Sequence, residues 1–385
     1  MQSHTYLIIG GGMTADAAVR GIREHDFTGS IGLLSEEKHP PYERPPLSKG
    51  LWTGKPFESI WKGTEKERIT LYLGTRVVSI DPEKKEVVDR EGNCHSYEKL
   101  LLATGCSPIH LSCPDEEVIY FRTVEDYFSL KNLYERGREF LIVGGGYIGT
   151  EIAAAFAMNG KDVTMVFPEP SIGHKKLPQN FSMFLNAFYT EKGVRLVPEQ
   201  SIQSVTKEGE RSRVVTTGGD HFVVDGVIAG IGVAPNVELA EAIGCKVDNG
   251  IVVDESLQTS LPDIFSAGDV ANFYSPHLEK RIRCEHEDTA YTMGKVAGKN
   301  MAGETEAYTH LPYFYSELFE LGYEAIGDLS KDMEIIEEWD EPYRTGVLYY
   351  LKEGRLRGAM LWGGSHRIDQ IREQIASKEL FTSIH

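Results

Sequence analysis

The chain lacks the marks of several protein classes. No apolar run approaches the ~20 residues that a bilayer-spanning helix needs. Five residues precede the first strand-like run at Tyr6, too few for a signal peptide. Cysteine is sparse. Cys94, Cys106, Cys113, Cys245 and Cys284 are five in all, an odd number with no CxxC or CxxxxC pair. That spacing disfavours a disulfide framework, a structural zinc site and a redox-active dithiol, and reduced, mostly buried thiols are expected. Positive charge is also short: 40 Lys+Arg face 58 Asp+Glu, a net −18. Phosphates would be repelled, so nucleic acid and anionic membrane are not expected partners. There is no low-complexity tract, and an apolar content of 41% is ordinary for a globular chain. A soluble protein of two or three domains, cytoplasmic or, if a targeting segment has been removed, mitochondrial, is the expectation for 385 residues.

What the chain does contain is one module written twice. Tyr6–Ile9 reads as an apolar strand running into Gly10-Gly11-Gly12-Met13-Thr14-Ala15 and an Ala-rich helix. The same grammar returns at Phe140–Val143, then Gly144-Gly145-Gly146-Tyr147-Ile148-Gly149, with Glu151–Met158 helical. Each copy is strand, GxGxx(G/A), helix. The first glycine permits a tight turn, the second lets backbone approach a pyrophosphate, and the third small residue lets helix and strand pack closely. The helix start then offers unpaired N–H groups and the positive end of its dipole to the phosphates.

Each copy continues with a second strand, Ser30–Leu34 and Asp162–Phe167, and an acid near its end. Glu36 follows Ala15 by 21 residues and Glu169 follows Gly149 by 20, the separation of a ribose-binding carboxylate. Phe167 fills the usual acid slot, so Glu169 acts from two residues further on or not at all. Lys175 and Lys176 are the alternative, a site for a 2′-phosphate, which keeps NADPH open beside NADH. Each module closes with a strand and a turn: Tyr97–Leu102 into Ala103-Thr104-Gly105, and Val223–Ala229 into Gly230-Ile231-Gly232.

The remaining segments fit around these copies. Residues 250–270 read as strand, turn and strand, then Ala267-Gly268-Asp269 opening a helix. Asp269 is there either an N-cap or a carboxylate aimed at a flavin's ribityl hydroxyls. Residues 310–385 carry no glycine fingerprint. They read as strands at Ala325–Asp328, Gly346–Leu351 and Arg357–Leu361 and a helix at Arg367–Ser377. Glu334–Glu341 reads as a solvated acidic face. The expected fold is α/β: two Rossmann-like domains, at 1–121 with 250–308 and at 122–249, and a C-terminal α+β domain at 309–385.

Four stretches resemble one family: Pro41–Lys49 (PYERPPLSK), Gly144–Glu151, Thr259–Asp269 and Gly322–Gly327 (GYEAIG). It is the two-dinucleotide FAD/NAD(P)-dependent flavoprotein reductases. Within it the chain is most similar to the apoptosis-inducing factors, through Phe167-Pro168-Glu169, Glu285-His286 and Leu361-Trp362, and less to the ferredoxin and rubredoxin reductases. The resemblance implies FAD on the first module with the 250–310 return, NADH on the second, and hydride transfer from nicotinamide to flavin.

It also implies roles. Gly10, Gly12, Ala15, Ala103, Thr104, Gly105 and Gly268 line the FAD, Glu36 takes its ribose, and Asp269 its ribityl chain. Arg44 meets the pyrophosphate and adenosine side, with weaker contacts from Val77 and Arg122. Lys49 and Glu151 match an ion pair beside the flavin; an exposed salt bridge is the plainer alternative. Glu285 and His286 match contacts at the isoalloxazine edge. On the NADH side stand Gly144, Gly146, Ile148, Gly149, Glu169, Lys175 and Gly232, with Tyr147 gating the nicotinamide. Lys49, Glu151 and His286 are the catalytic candidates. No general acid or base is assigned.

Departures from the family matter as well. Tyr315 stands where the eukaryotic members have a tryptophan near the flavin. Asp328 to Gly346 is too short for their inserted regulatory loop. Val252 and Ser260 replace arginines of their dimer contact, so monomer and homodimer both stay open. The expectation is an FAD-dependent NADH oxidoreductase whose electron acceptor is unidentified, either a small quinone- or dye-like molecule or a small redox protein. The alternatives are a reductase serving a ferredoxin- or rubredoxin-type partner, and a redox-sensing interaction protein with slow turnover. A dithiol disulfide reductase is disfavoured, because no cysteine follows Glu36 until Cys94.

Overall fold

A computed structural model describes residues 2–364 and 367–382. The chain forms two units. One comprises Met1–Glu43, Glu58–Ser107 and Pro235–Phe314; the other comprises Arg44–Phe57, Pro108–Ala234 and Tyr315–His385.

In the first unit, the strands Thr70–Leu73, Ile31–Ser35, Gln2–Ile9 and Cys94–Leu102 lie side by side in that order and run parallel. Ile264–Ser266 joins the C-terminal half of the last in the same direction. The register sets Ile8 beside Leu33 and Leu101, and all three are fully buried. Strands covered on both faces explain why Tyr6–Ile9 is continuously apolar rather than alternating. Glu86–Asp89 and Val77–Asp81 extend the sheet antiparallel. The helix Met13–His25 packs against the helix Glu287–Met301 through glycine. A Cβ on Gly294 would lie 2.4 Å from the Thr14 carbonyl oxygen, and one on Gly298 would lie 2.1 Å from that of Ala18.

The second unit repeats the parallel plan. Its sheet runs Arg195–Val197, Asp162–Val166, Glu139–Val143, Gly226–Ala229, Val118–Tyr120. An antiparallel ribbon, Ile202–Glu208, Arg211–Thr216 and His221–Val224, is attached to it in sequence. The C-terminal part is a five-stranded antiparallel sheet in the order Tyr313–Leu318, Leu321–Gly327, Arg355–Trp362, Thr345–Lys352, Glu334–Glu341. The helix Ile368–Ser377 buries Ile371 and Ile375. The α/β class and both fingerprint modules are as the sequence reads.

Three local expectations need correction. Val223–Ala229 is not one strand: His221–Val224 belongs to the ribbon and Gly226–Ala229 to the parallel sheet. Asp225 makes the break, its carboxylate accepting the Arg138 and Glu139 amides at 2.7 and 2.9 Å. Asp269 does not open a helix. Gly268–Val270 is a single 3-10 turn that passes straight into the strand Ala271–Ser275. Glu334–Glu341 is more than a solvated face. It is a strand at the edge of its sheet, its polar side chains half-exposed, as the charge on an edge strand requires.

Candidate active site

The two glycine loops are built almost superposably. Gly10 has φ 121° and Gly144 φ 109°, values that L side chains rarely adopt. A Cβ at Gly10 would stand 2.0 Å from the Ala103 carbonyl oxygen, and one at Gly144 would stand 2.4 Å from that of Gly230. The closing turns expected from sequence are thus the second wall of each loop. Gly12 and Gly146 are the helix N-caps, at φ −88°, ψ −171° and φ −87°, ψ −169°, and neither has a side-chain cap. Each helix therefore presents uncapped N–H groups, the arrangement that receives a phosphate. Ala15 is fully buried. Gly149 admits no side chain, since its Cβ would lie 2.1 Å from the Gly144 carbonyl oxygen.

In the first unit, Glu36 follows the strand Ile31–Ser35 directly and pairs with Arg76 at 2.9 Å. Beside it the buried Ser35 hydroxyl has no partner among the described residues, and a Cβ on Gly11 would stand 2.1 Å from it. An orphaned buried donor behind the glycine loop, with a carboxylate next to it, fits a dinucleotide's polar groups. Gly268, at φ 80°, sits so close to Thr14 that a Cβ would meet its hydroxyl at 2.2 Å, which places Asp269 at the start of the first fingerprint helix. Thr104 donates to the Asn236 carbonyl at 2.7 Å, and Gly105 turns the chain at φ 64°. Arg283 holds this corner by donating to the Asp269 carbonyl (3.2 Å) and pairing with Glu285 (2.6 Å). His286 caps the helix Glu287–Met301 by position, and its ring stacks on Phe314 at 4.1 Å. Val77 is different: its side chain lies in the apolar core with Leu7, Ile9 and Leu34.

In the second unit, a cavity of about 340 Å3 opens beside Gly144–Tyr147. Glu169, Lys175 and Gly232 line it. Ile148 packs behind, 3.2 Å from a Cβ built on Gly230. Lys175 pairs with Glu169 at 2.8 Å. Burial alone would raise the Glu169 carboxyl, but the hydrogen bond from Lys175, the backbone and the nearby charges hold it below its usual range. Phe167 is fully buried, its ring 3.2 Å from a Cβ on Gly145, so the strand end has no room for an acid there. Lys176 lines the same cavity and reaches Tyr147 within it. It donates to the Tyr147 hydroxyl and lies 4.6 Å from the ring centroid.

The PPLSK segment contributes the buried ion pair. Lys49 Nζ lies 3.2 Å from Glu151 Oε1, with side-chain exposures of only 11% and 5%. This rules out the exposed salt bridge that the sequence left open. Tyr315 flanks it, with its ring centroid 4.1 Å from the ammonium and its carbonyl accepting at 3.4 Å. Arg44 and Arg122 also meet, Arg44 Nη1 donating to the Arg122 carbonyl at 3.0 Å.

Sequence reasoning missed the C-terminal share of the cavity beside Gly144–Tyr147. Leu318, Tyr323, Met360 and Trp362 line it from the antiparallel sheet. Burial, first of all, pushes the Tyr323 phenol well above its usual range, so it stays protonated. Trp362 is buried, and its indole N–H has no partner among the described residues. Only the Leu361-Trp362 pair carried a signal for this wall, and strand periodicity cannot say which face meets a ligand. Among the described residues none of the five cysteines is in a disulfide, no group of His, Cys, Asp and Glu could hold a metal ion, and no helix is long and apolar enough to cross a membrane.

Comparison with known proteins agrees with this geometry. Residues 4–294 match the family model for pyridine nucleotide-disulphide oxidoreductases. Apoptosis-inducing factor 1, mitochondrial, of Dictyostelium discoideum is 30% identical over 100% of this chain and 80% of its own. The ferredoxin–NAD(+) reductase component of the anthranilate 1,2-dioxygenase system of Burkholderia cepacia is 33% identical over 85% of this chain and 82% of its own. Among solved structures, a ferredoxin reductase from Rhodopseudomonas palustris superposes with a TM-score of 0.91 at 27% identity, covering 99% of this chain and 96% of the other.

Proposed function

Because this chain belongs to the pyridine nucleotide-disulphide oxidoreductases, FAD- and NAD(P)H-dependent enzymes, we propose that NADH is its electron donor and that Lys49, Glu151 and His286 serve the flavin. Bound FAD would supply a hydride acceptor for the reduced nicotinamide and a two-electron donor to the acceptor. The chain's own residues bind and orient. Gly10–Ala15 and Glu36 hold the FAD phosphates and ribose, and Asp269 takes the ribityl hydroxyls. Gly144–Gly149 and Glu169 do the same for NADH. Glu169 favours NADH because its carboxylate accepts ribose hydroxyls and repels a 2′-phosphate. Lys49 supplies a fixed cation for the negative charge that reduction places on the flavin. The five scattered cysteines, none in a disulfide among the described residues, support an electron path through the flavin alone.

The observation that carries this reading is the pair of uncapped glycine loops with a buried Lys49–Glu151 ion pair in the same chain. The acceptor is a small redox protein or a small organic oxidant. A Burkholderia relative named as a ferredoxin reductase component supports the first. Anaerobic titration with NADH is the test. The purified protein should be yellow, and its flavin absorbance should bleach with one equivalent. A colourless protein that FAD does not reconstitute, or a yellow one that NADH leaves unbleached, overturns the proposal. A panel of ferredoxins, rubredoxins and quinones then names the acceptor class.

A further inference from the structure

Glu151 is held by more than Lys49. Ser48 Oγ donates to Oε2 at 2.7 Å, and Ser316 Oγ donates to Oε1 at 2.7 Å, the oxygen that Lys49 shares at 3.2 Å. Ser48 is 3% exposed, Ser316 1% and Glu151 5%. The two hydroxyls come from separate segments. Ser48 lies in the turn just before Lys49, and Ser316 lies in the strand just after Tyr315. Ser48 therefore neighbours the lysine itself, and Ser316 neighbours the tyrosine that flanks its ammonium. With one hydroxyl on each oxygen, the carboxylate cannot turn without breaking a buried hydrogen bond. Oε1 stays aimed at Lys49. A buried carboxylate that loses such a donor loses much of its compensation for desolvation.

We propose that Ser48 and Ser316 are positioning residues that lock the Glu151 carboxylate and, through it, the Lys49 ammonium, and so tune the reduction potential of the bound FAD. The proposal rests on the reading of Lys49 as the cation serving the flavin. The serines touch neither cofactor nor substrate in this scheme; they act only by fixing where a charge sits. Lys49 has three N–H groups, of which Glu151 and the Tyr315 carbonyl engage two. A fixed carboxylate fixes the direction of the remaining one.

The test measures the FAD midpoint potential by anaerobic dye-coupled titration, together with the rate of flavin reduction by NADH. It compares the wild-type holoenzyme with Ser48→Ala, Ser316→Ala, Ser316→Thr, Lys49→Met, Glu151→Gln and the Ser316→Ala/Glu151→Gln double variant. Both alanine variants should lower the potential in the same direction as Lys49→Met. They should slow reduction by about tenfold, the scale of one lost hydrogen bond to a charged group, without changing the affinity for NADH. Ser316→Thr, which keeps the hydroxyl, should restore the potential. In the Glu151→Gln background, Ser316→Ala should add nothing. Wild-type potentials in both alanine variants while Lys49→Met shifts overturn the proposal, as does an undiminished Ser316→Ala effect in the Glu151→Gln background. If Lys49→Met itself leaves the potential unchanged, the assignment of Lys49 fails instead. Should Ser316→Ala not fold, Ser48→Ala decides alone.

Discussion

Lys176 holds Tyr147 by both of its recognisable features: its ammonium donates to the phenol oxygen and lies 4.6 Å from the ring centroid. Both side chains line the cavity beside the second glycine loop, so the ring's position is a property of the pair. Tyr147→Phe removes the acceptor and Lys176→Met removes the cation. Each should raise KM for NADH by about 3–10-fold, the effect of one hydrogen bond of ~1 kcal/mol, with kcat largely kept. The double variant should be no worse than either single one. Steady-state kinetics over a range of NADH concentrations checks this, and independent, multiplying effects would show that the two residues act separately.

The Glu169–Lys175 pair sets up the second expectation. Its carboxyl is held below the ordinary value of 4.5, so it stays ionised as pH falls to about 5, and KM for NADH should be flat from pH 8 down to there. Glu169→Ala removes the acceptor for the ribose hydroxyls and frees Lys175 at once. The ratio of kcat/KM for NADH over NADPH should drop by about 10–100-fold, the range for a charge-assisted hydrogen bond. Equal use of both nucleotides by the wild type would remove Glu169 from the ribose.

How much of this was legible in the sequence follows from what each feature depends on. Gly10, Gly144 and their closing turns were readable because a tight turn against a carbonyl leaves glycine as the only residue that fits. Glu36 and Glu169 stood out by their spacing from the glycine motifs, and each lies just beyond the end of its strand. Ser48 was in plain view within PPLSK, yet nothing local tells a serine that turns outward from one that donates to a carboxylate 103 positions away. Ser316, Tyr323 and Trp362 depend on which face of an antiparallel strand meets the cavity, and that is decided by packing. The break at Asp225 was hidden for the opposite reason. Val223–Ala229 is apolar on both sides of it, and the aspartate's bonds to the amides of Arg138 and Glu139 come from another strand.

The crossing of the helices Met13–His25 and Glu287–Met301 makes a third expectation. Gly298 has no space for a side chain, because even a Cβ would meet the Ala18 carbonyl oxygen at 2.1 Å and its carbon at 2.9 Å. These are backbone atoms, so the helices themselves must part. Gly298→Val should destabilise the fold by at least about 1–3 kcal/mol, the usual penalty of overpacking. Because Gly12 caps the helix Met13–His25 and Gly268 packs against Thr14 in its first turn, it should also lose FAD more readily. Thermal unfolding and the flavin-to-protein absorbance ratio after gel filtration measure the two effects. A wild-type ratio would mean that the glycine loop does not feel the crossing.

The last expectation concerns a buried aromatic cluster in the first unit. His4 and His95 stack at 6.4 Å and are 6% and 1% exposed, with Tyr72 edge-on to both. His4 Nε2 meets the Tyr72 hydroxyl at 3.1 Å, and His95 Nε2 lies 3.4 Å from the carboxylate of Asp89. Burial first, and the neighbouring His95 second, lower the His4 pKa from its ordinary 6.5. The sign follows directly. The unfolded chain takes up a proton at His4 near pH 6.5 and the folded chain resists it, so the unfolded state binds more protons as pH falls. Stability is therefore complete above pH 6.5 and declines below it, before most carboxylates titrate. The apparent melting temperature of the holoprotein should be level from pH 8 to 7 and fall between pH 6.5 and 5, by about 2–4 °C for each kcal/mol lost. His4→Gln keeps a polar group for Tyr72 without a titrating ring, and should flatten that decline while leaving the carboxylate-driven loss below about pH 4 in place. An unchanged slope in His4→Gln would assign the acid sensitivity to other groups.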